Sequence, residues 1–184
     1  MSAKRPVLFI HGGGEDALSF DRKIADRLQK AIGSGAHVDV PLIRGLEALN
    51  WPAVEKELGD QFRALPPGTI MVAHSIGASA VLKLLSEGLD PKLAHLFLLA
   101  PPYNGVDGEW GDGPFAFAQD FPAGLPEELQ ITIWHGTDDE EIPSGNSRRY
   151  AEELPKAEVH FLDGYGHQFE GSLRFLADAI REVE

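Results

Sequence analysis

The residue types able to perform nucleophilic chemistry in this chain stand where strands should give way to loops. Ser75 follows the apolar run from Thr69 to Ala73, which reads as a buried strand, and precedes Ile76 to Glu87, which reads as a helix rich in small residues. A serine on so sharp a turn is strained, with its hydroxyl exposed above the sheet and the next residue's N–H free at the helix start. The local pattern Ala73-His74-Ser75-Ile76-Gly77 departs from G-x-S-x-G only in its first small residue. A serine hydroxyl attacks poorly until a base removes its proton, and that base needs a third group to orient it. Acids follow the apolar run Ile131 to His135 at Asp138 and Asp139, and His167 follows the run Val159 to Leu162. The chain order is serine, acid, histidine.

Each of these residues has a plainer reading. Ser75 could cap the helix it precedes. His167 could be a surface-loop histidine. The glycines of His11-Gly12-Gly13-Gly14 could cradle a phosphate, but no Lys-Ser/Thr pair follows them. His11, His74 and His135 also end strands, yet their spacing is not that of helical or hairpin metal ligands.

The elements that must hold these residues alternate. Val7 to Ile10 is a short all-apolar run, as a strand buried on both faces requires. Phe20, Ile24, Leu28 and Ile32 fall at helical spacing before Gly33-Ser34-Gly35. Val38 to Ile43 reads as a strand, and Pro41 within it suits a sheet edge. Val54, Leu58, Phe62 and Leu65 mark a second amphipathic helix, ended by Pro66-Pro67-Gly68. Further strands are expected over 93–100, 131–135 and 159–162, with helices over 144–154 and around Leu173 to Ile180. Alternating strands and helices imply right-handed crossovers and a parallel sheet covered on both faces. About six strands result, and ligands in such sheets bind beyond the strands' carboxyl ends.

One stretch breaks the pattern. From Tyr103 to about Leu129 the chain is irregular and rich in Gly, Pro, acids and aromatics. Tyr103, Trp110, Phe115 and Phe117 are candidates for a small lid or pocket wall over Ser75, and packing of the loop onto the sheet is the competing reading.

Composition narrows the class. The 184 residues fit one domain, with 43% hydrophobic residues, enough for a full core. The 16 basic against 29 acidic residues give a net charge of −13, which argues against nucleic acid or an anionic membrane as partner. The absence of cysteine excludes disulfides, thiolate metal sites and a cysteine nucleophile. The leading apolar run, Val7 to Ile10, is too short for a signal-peptide core, and no run reaches membrane-spanning length. A soluble, cytoplasmic protein without membrane insertion is expected.

With these motifs in order, the sequence resembles an α/β-hydrolase, and its small size is similar to the compact esterase-like group that includes the retinoblastoma-binding-protein-like and YdeN-like proteins. The likeness runs from Val7 to the last helix. It implies a compact α/β-hydrolase fold in one domain, 1–184, that lacks the family's first two strands. The first two visible strands would then be in swapped order. Ser75 matches the family's nucleophile, and His167, in Gly164-Tyr165-Gly166-His167, its general base. Gly136-x-x-Asp139-x-x-Ile142-Pro143 matches the family's acid motif and favours Asp139 over Asp138. The glycine loop resembles the family's oxyanion loop, so Gly13 N–H would join Ile76 N–H as oxyanion donor. Gly12 would keep the backbone close, His11 would tie the loop by hydrogen bonding, and His74 would flank the nucleophile. All three, with the four aromatics, are candidates to line the substrate site. The resemblance implies cleavage of a small-molecule ester or related acyl bond through an acyl-enzyme, with no cofactor and no metal. A non-catalytic binding protein on the same scaffold, or a thioester, amide or carbon–carbon hydrolase, would share this sequence pattern.

Overall fold

The computed structural model describes residues 5–183. Six strands form one all-parallel sheet: β1 (Arg5–Ile10), β2 (Ala36–Asp39), β3 (Ile70–His74), β4 (His95–Leu99), β5 (Ile131–Gly136) and β6 (Glu158–Leu162). Their spatial order is β2-β1-β3-β4-β5-β6. The chain goes from β1 outward to the edge strand β2, then crosses back to β3 on the other side of β1. The loops after β1 and β3 therefore diverge and leave a crevice at the sheet's carboxyl edge, the place where open α/β sheets bind ligands.

Strand alternation explains the two cores. Val7, Phe9, Ile70, Val72, Phe97, Leu99 and Trp134 point to one face, where α1 (Ala17–Ile32) and α6 (Arg174–Glu182) cover them. Leu8, Ile10, Met71, Ala73, Leu96, Leu98, Ile131 and Ile133 point to the other, under α2 (Trp51–Ala64), α3 (Ile76–Ser86), the one-turn α4 (Phe121–Gly124) and α5 (Gly145–Glu153). Burial on both faces is why β3 and β5 are buried at every position.

Two expectations from the sequence need correction. The second strand does not run from Val38 to Ile43; it ends at Asp39, because Pro41 has no N–H for the ladder. Ile43 is instead a fully buried loop residue. The inward stripe of α1 is also displaced. Phe20 is 46% exposed, while Asp21, Ile24, Ala25, Leu28 and Ile32 are buried.

The segment 103–129 lies on the α2–α3–α5 face. Phe115 meets Trp51 edge to face at 5.6 Å, Tyr103 meets Tyr150 at 5.2 Å, and Phe117 packs on Phe121 at 4.5 Å. Phe115, Phe117 and Tyr103 are buried with the helices' apolar side chains. Lys83 Nζ donates to Ala116 O at 2.8 Å and fastens the loop to α3. Among the described residues, no helix is long and apolar enough to cross a membrane.

Candidate active site

Ser75 is the residue between β3 and α3, with φ 53° and ψ −133°. A β-carbon in that region costs about 1–3 kcal/mol, which the surrounding structure must offset. The turn is tight because α3 presses on the loop after β1. A Cβ added to Gly77 would lie 2.1 Å from His11 O, so only glycine admits this approach. Ser75 N–H donates to Leu99 O at 2.9 Å, which anchors the turn to the end of β4.

Ser75 Oγ lies 3.0 Å from His167 Nε2, and His167 Nδ1 lies 2.8 Å from Asp139 Oδ2. With Nδ1–H donating to the carboxylate, Nε2 is left to accept the serine proton. Asp139 is 7% exposed and His167 7%, so little water competes for these bonds. Burial alone would raise the Asp139 carboxyl. Hydrogen bonds from His135 and His167 and from Ile142 N–H outweigh it and hold the group well below the usual carboxylate range. Glu141 N–H and Ile142 N–H both donate to Asp139 Oδ1, at 2.9 and 2.8 Å. These two bonds belong to the turn after β5 and fix the carboxylate's orientation.

Asp138, by contrast, is exposed. Its N–H donates to Tyr165 O in the loop after β6, and its carboxylate accepts from the neighbouring Thr137 Oγ1. The adjacent acids are thus separated by backbone direction.

His135 Nε2–H is shared between Ile142 O at 2.7 Å and Asp139 Oδ2 at 3.2 Å, while Ser147 Oγ–H donates to Nδ1 at 2.6 Å. This ring is fully buried and supports Asp139 from behind. His11 Nδ1–H donates to Gly12 O at 2.8 Å, and its Nε2 accepts from Ile43 N–H at 3.1 Å. Burial lowers the His11 pKa, in keeping with the neutral ring these two bonds require. His11 therefore ties the glycine loop to the loop after β2.

Gly14 N–H donates to Leu46 O and Gly12 N–H to Asp21 Oδ2, so the loop is held on both sides of Gly13. Among the described residues, neither Gly13 N–H nor Ile76 N–H has an internal acceptor. The two residues are in contact: a Cβ on Gly13 would lie 2.3 Å from Ile76 Cγ2.

A cleft of about 220 Å³ opens over this array. Gly12, Gly13, His74, Ser75 and His167 line it, with Glu141 and Phe20 at its mouth. His11 is not among the lining residues, and neither are Tyr103, Trp110, Phe115 or Phe117. Tyr103, Phe115 and Phe117 serve as core on the α2–α3–α5 face, where helix packing offers them more apolar contact than an open crevice could, while Trp110 is only half-buried. A larger cleft, about 410 Å³, lies by the amino ends of β5 and β6 and contains none of these groups.

Sequence reasoning did not single out Asp21. It lies at the buried face of α1, three, four and seven residues before Ile24, Ala25 and Leu28, and that spacing was the available signal. The Glu141 carboxylate is mostly exposed but stands 3.9 Å from His167 Nε2. Among the described residues, no three His, Cys, Asp or Glu side chains gather as a metal site would require.

An open parallel sheet with a strained serine after its central strand, and an acid and a histidine after later strands, defines a class of α/β protein. The chain belongs to the alpha/beta hydrolase family, whose model matches residues 7–182. The *ydeN* gene product of *B. subtilis* is similar over 98% of each chain, with a TM-score of 0.74 and 19% identity. The esterase domain of a *Rhodothermus marinus* protein is similar over 98% of this chain and 87% of its own, with a TM-score of 0.69 and 15% identity. Protein phosphatase methylesterase 1 of *Bos taurus* is 30% identical over 103 residues, 50% of this chain and 27% of that protein's length.

Proposed function

We propose that the protein is a serine hydrolase that cleaves a carboxylic ester or related acyl bond. The observation that carries this reading is the unbroken chain Ser75 Oγ–His167 Nε2, 3.0 Å, and His167 Nδ1–Asp139 Oδ2, 2.8 Å, on a serine at φ 53°. Ser75 Oγ attacks the acyl carbon as His167 Nε2 takes its proton. Asp139 holds the imidazole in the required tautomer and stabilises the imidazolium that forms. The oxyanion receives Gly13 N–H and Ile76 N–H, neither with an acceptor among the described residues and both fixed in advance, so little reorganisation opposes the step. His167 then protonates the leaving group. Water, deprotonated by the same ring, releases the acyl group from Ser75.

The cleft's modest volume favours a small acyl group or an ester presented at a surface. The name of the bovine methylesterase supports ester cleavage, although the likeness covers half of this chain. With a net charge of −13 the reading takes a small-molecule substrate, not nucleic acid, and a cytoplasmic setting.

A fluorophosphonate probe tests the assignment. Native protein should be labelled at Ser75, and Ser75→Ala should not be labelled. Labelling that persists in the variant would overturn it.

A further inference from the structure

We propose that Asp21 and His74 are positioning residues: a buried, charged pair that locks the glycine loop, which carries the oxyanion donor, to the loop that carries His167. The inference rests on the serine hydrolase reading for its consequence, but the charge state of the pair does not depend on it.

Both nitrogens of His74 face acceptors. Nδ1 lies 2.8 Å from Asp21 Oδ1, and Nε2 lies 2.9 Å from the backbone carbonyl of His167. A carbonyl oxygen and a carboxylate cannot donate, so each ring nitrogen must carry a proton and the ring is an imidazolium. Asp21 is then its counter-ion, and the second carboxylate oxygen accepts Gly12 N–H at 2.6 Å. The side chains of His74 and Asp21 are 2% and 1% exposed. Burial, the largest influence on His74, opposes its charge; the Asp21 charge and hydrogen bond, with the His167 carbonyl, overcome it and raise the histidine above its ordinary value. Burial likewise works against the Asp21 charge, and the attraction and hydrogen bond of His74, with Gly12 N–H, overcome it and lower the carboxyl.

A buried ion pair is a poor means of adding stability, since apolar residues of equal volume commonly do as well. What this pair provides is geometry. One continuous chain of bonds runs Gly12 N–H, Asp21, His74, His167 C=O, and joins α1, the end of β3 and the loops after β1 and β6. Gly12 precedes the oxyanion donor Gly13, and His167 is the base. A second contact from α1 acts on the same loop: Arg27 donates to Gln168 O at 2.7 Å, to Gly171 O at 3.2 Å and to Phe169 O. Phe169, two residues after His167, is held at φ 47°. The charged and titratable groups facing His74 are Asp21 from α1, the His167 ring at 4.7 Å from the loop after β6, and Asp139 from the turn after β5. The aromatic edge of Phe169 closes the remaining side at 6.2 Å.

Ring ¹⁵N NMR of the native protein tests the charge state without any variant. Both His74 nitrogens should be protonated at neutral pH and remain so above the ordinary histidine value of about 6.5; a neutral, single-tautomer ring at neutral pH would overturn the proposal. Kinetics with p-nitrophenyl acetate tests the consequence. Asp21→Asn, shown to be folded by circular dichroism, should lower kcat by about 10- to 100-fold with KM within about threefold, because donor and base lose register while the cleft persists. A folded Asp21→Asn protein with native kcat would overturn the positioning role, and if the variant does not fold, the NMR result alone decides. Failure of the hydrolase reading would show differently, as native protein that neither turns over nor labels at Ser75.

Discussion

His167 and His74 have ring centroids 4.7 Å apart, and each ring meets an aspartate oxygen at 2.8 Å, yet their second nitrogens face opposite chemistries. His167 Nε2 meets a hydroxyl, which can give a proton. His74 Nε2 meets a carbonyl, which can only accept one. The first ring can therefore cycle between neutral and charged, while the second is held charged throughout. His167 faces Ser75 Oγ at the cleft, whereas the buried His74 side chain is held between Asp21 of α1 and the backbone of the loop after β6. In the proposed reaction one histidine–aspartate pair moves protons, and its neighbour keeps the first in place. The residue types are the same, and the partner of one nitrogen decides the role.

Substitutions should separate the two pairs by size of effect. His167→Ala removes the base and should lower kcat/KM by at least about 10⁴-fold, leaving only what the oxyanion donors and binding provide. Asp139→Asn keeps the volume but no longer selects the tautomer with Nε2 free, and a loss of roughly 10⁴-fold in kcat is expected from steady-state kinetics. Equal activity in Asp139→Asn and native protein would erase the distinction between the pairs.

Stability against pH should mark the buried pair more gently. The Asp21 carboxyl is lowered, so its contribution is present above the ordinary value of about 3.9 and is lost as pH falls through the lowered pKa. The His74 pKa is raised, so its contribution is full below about 6.5 and is lost as pH rises through the raised value. Denaturant melts of native and Asp21→Asn protein should therefore differ most between about pH 4 and 6.5, by about 3 kcal/mol, since one partner of a buried pair is left alone. The gap should narrow on either side. A pH-independent gap would mean that Asp21 acts through packing.

The smallest effect on chemistry belongs to the far face. Phe115→Ala opens a void beside Trp51 and should cost about 3–5 kcal/mol in stability, measured by denaturant unfolding. Its kcat below the unfolding transition should stay within about twofold of native, since the ring does not line the cleft. A large loss of kcat would return the 103–129 segment to the site.

These contrasts also show what one dimension of sequence carries. Ser75, Asp139 and His167 each follow an apolar run, and a parallel sheet brings the ends of its strands to one edge, so their meeting could be read from order alone. The swap of β1 and β2 was legible only through the family resemblance, since the order of apolar runs does not say on which side of β1 the next strand lies. Asp21 was not, because a stripe through Phe20, Ile24 and Leu28 and a stripe through Asp21, Ile24, Ala25 and Leu28 differ by one residue of helical phase. Only the packing of α1 against the sheet and α6 selects the second. The 103–129 segment was illegible for another reason. Its aromatics have no period, and their partners, Trp51 from α2 and Tyr150 from α5, are remote in sequence. Pro41 correctly marks an edge strand, but that strand stops short of it, since a residue without N–H ends the pairing.

The most direct test of the central claim is an intact-mass and peptide-mapping experiment on native protein quenched with acid during turnover of p-nitrophenyl acetate. Native protein should gain the mass of one acetyl group, located on Ser75 and absent from Ser75→Ala. Turnover of the ester by Ser75→Ala at the native rate, or an acetyl group on any other residue, would contradict it.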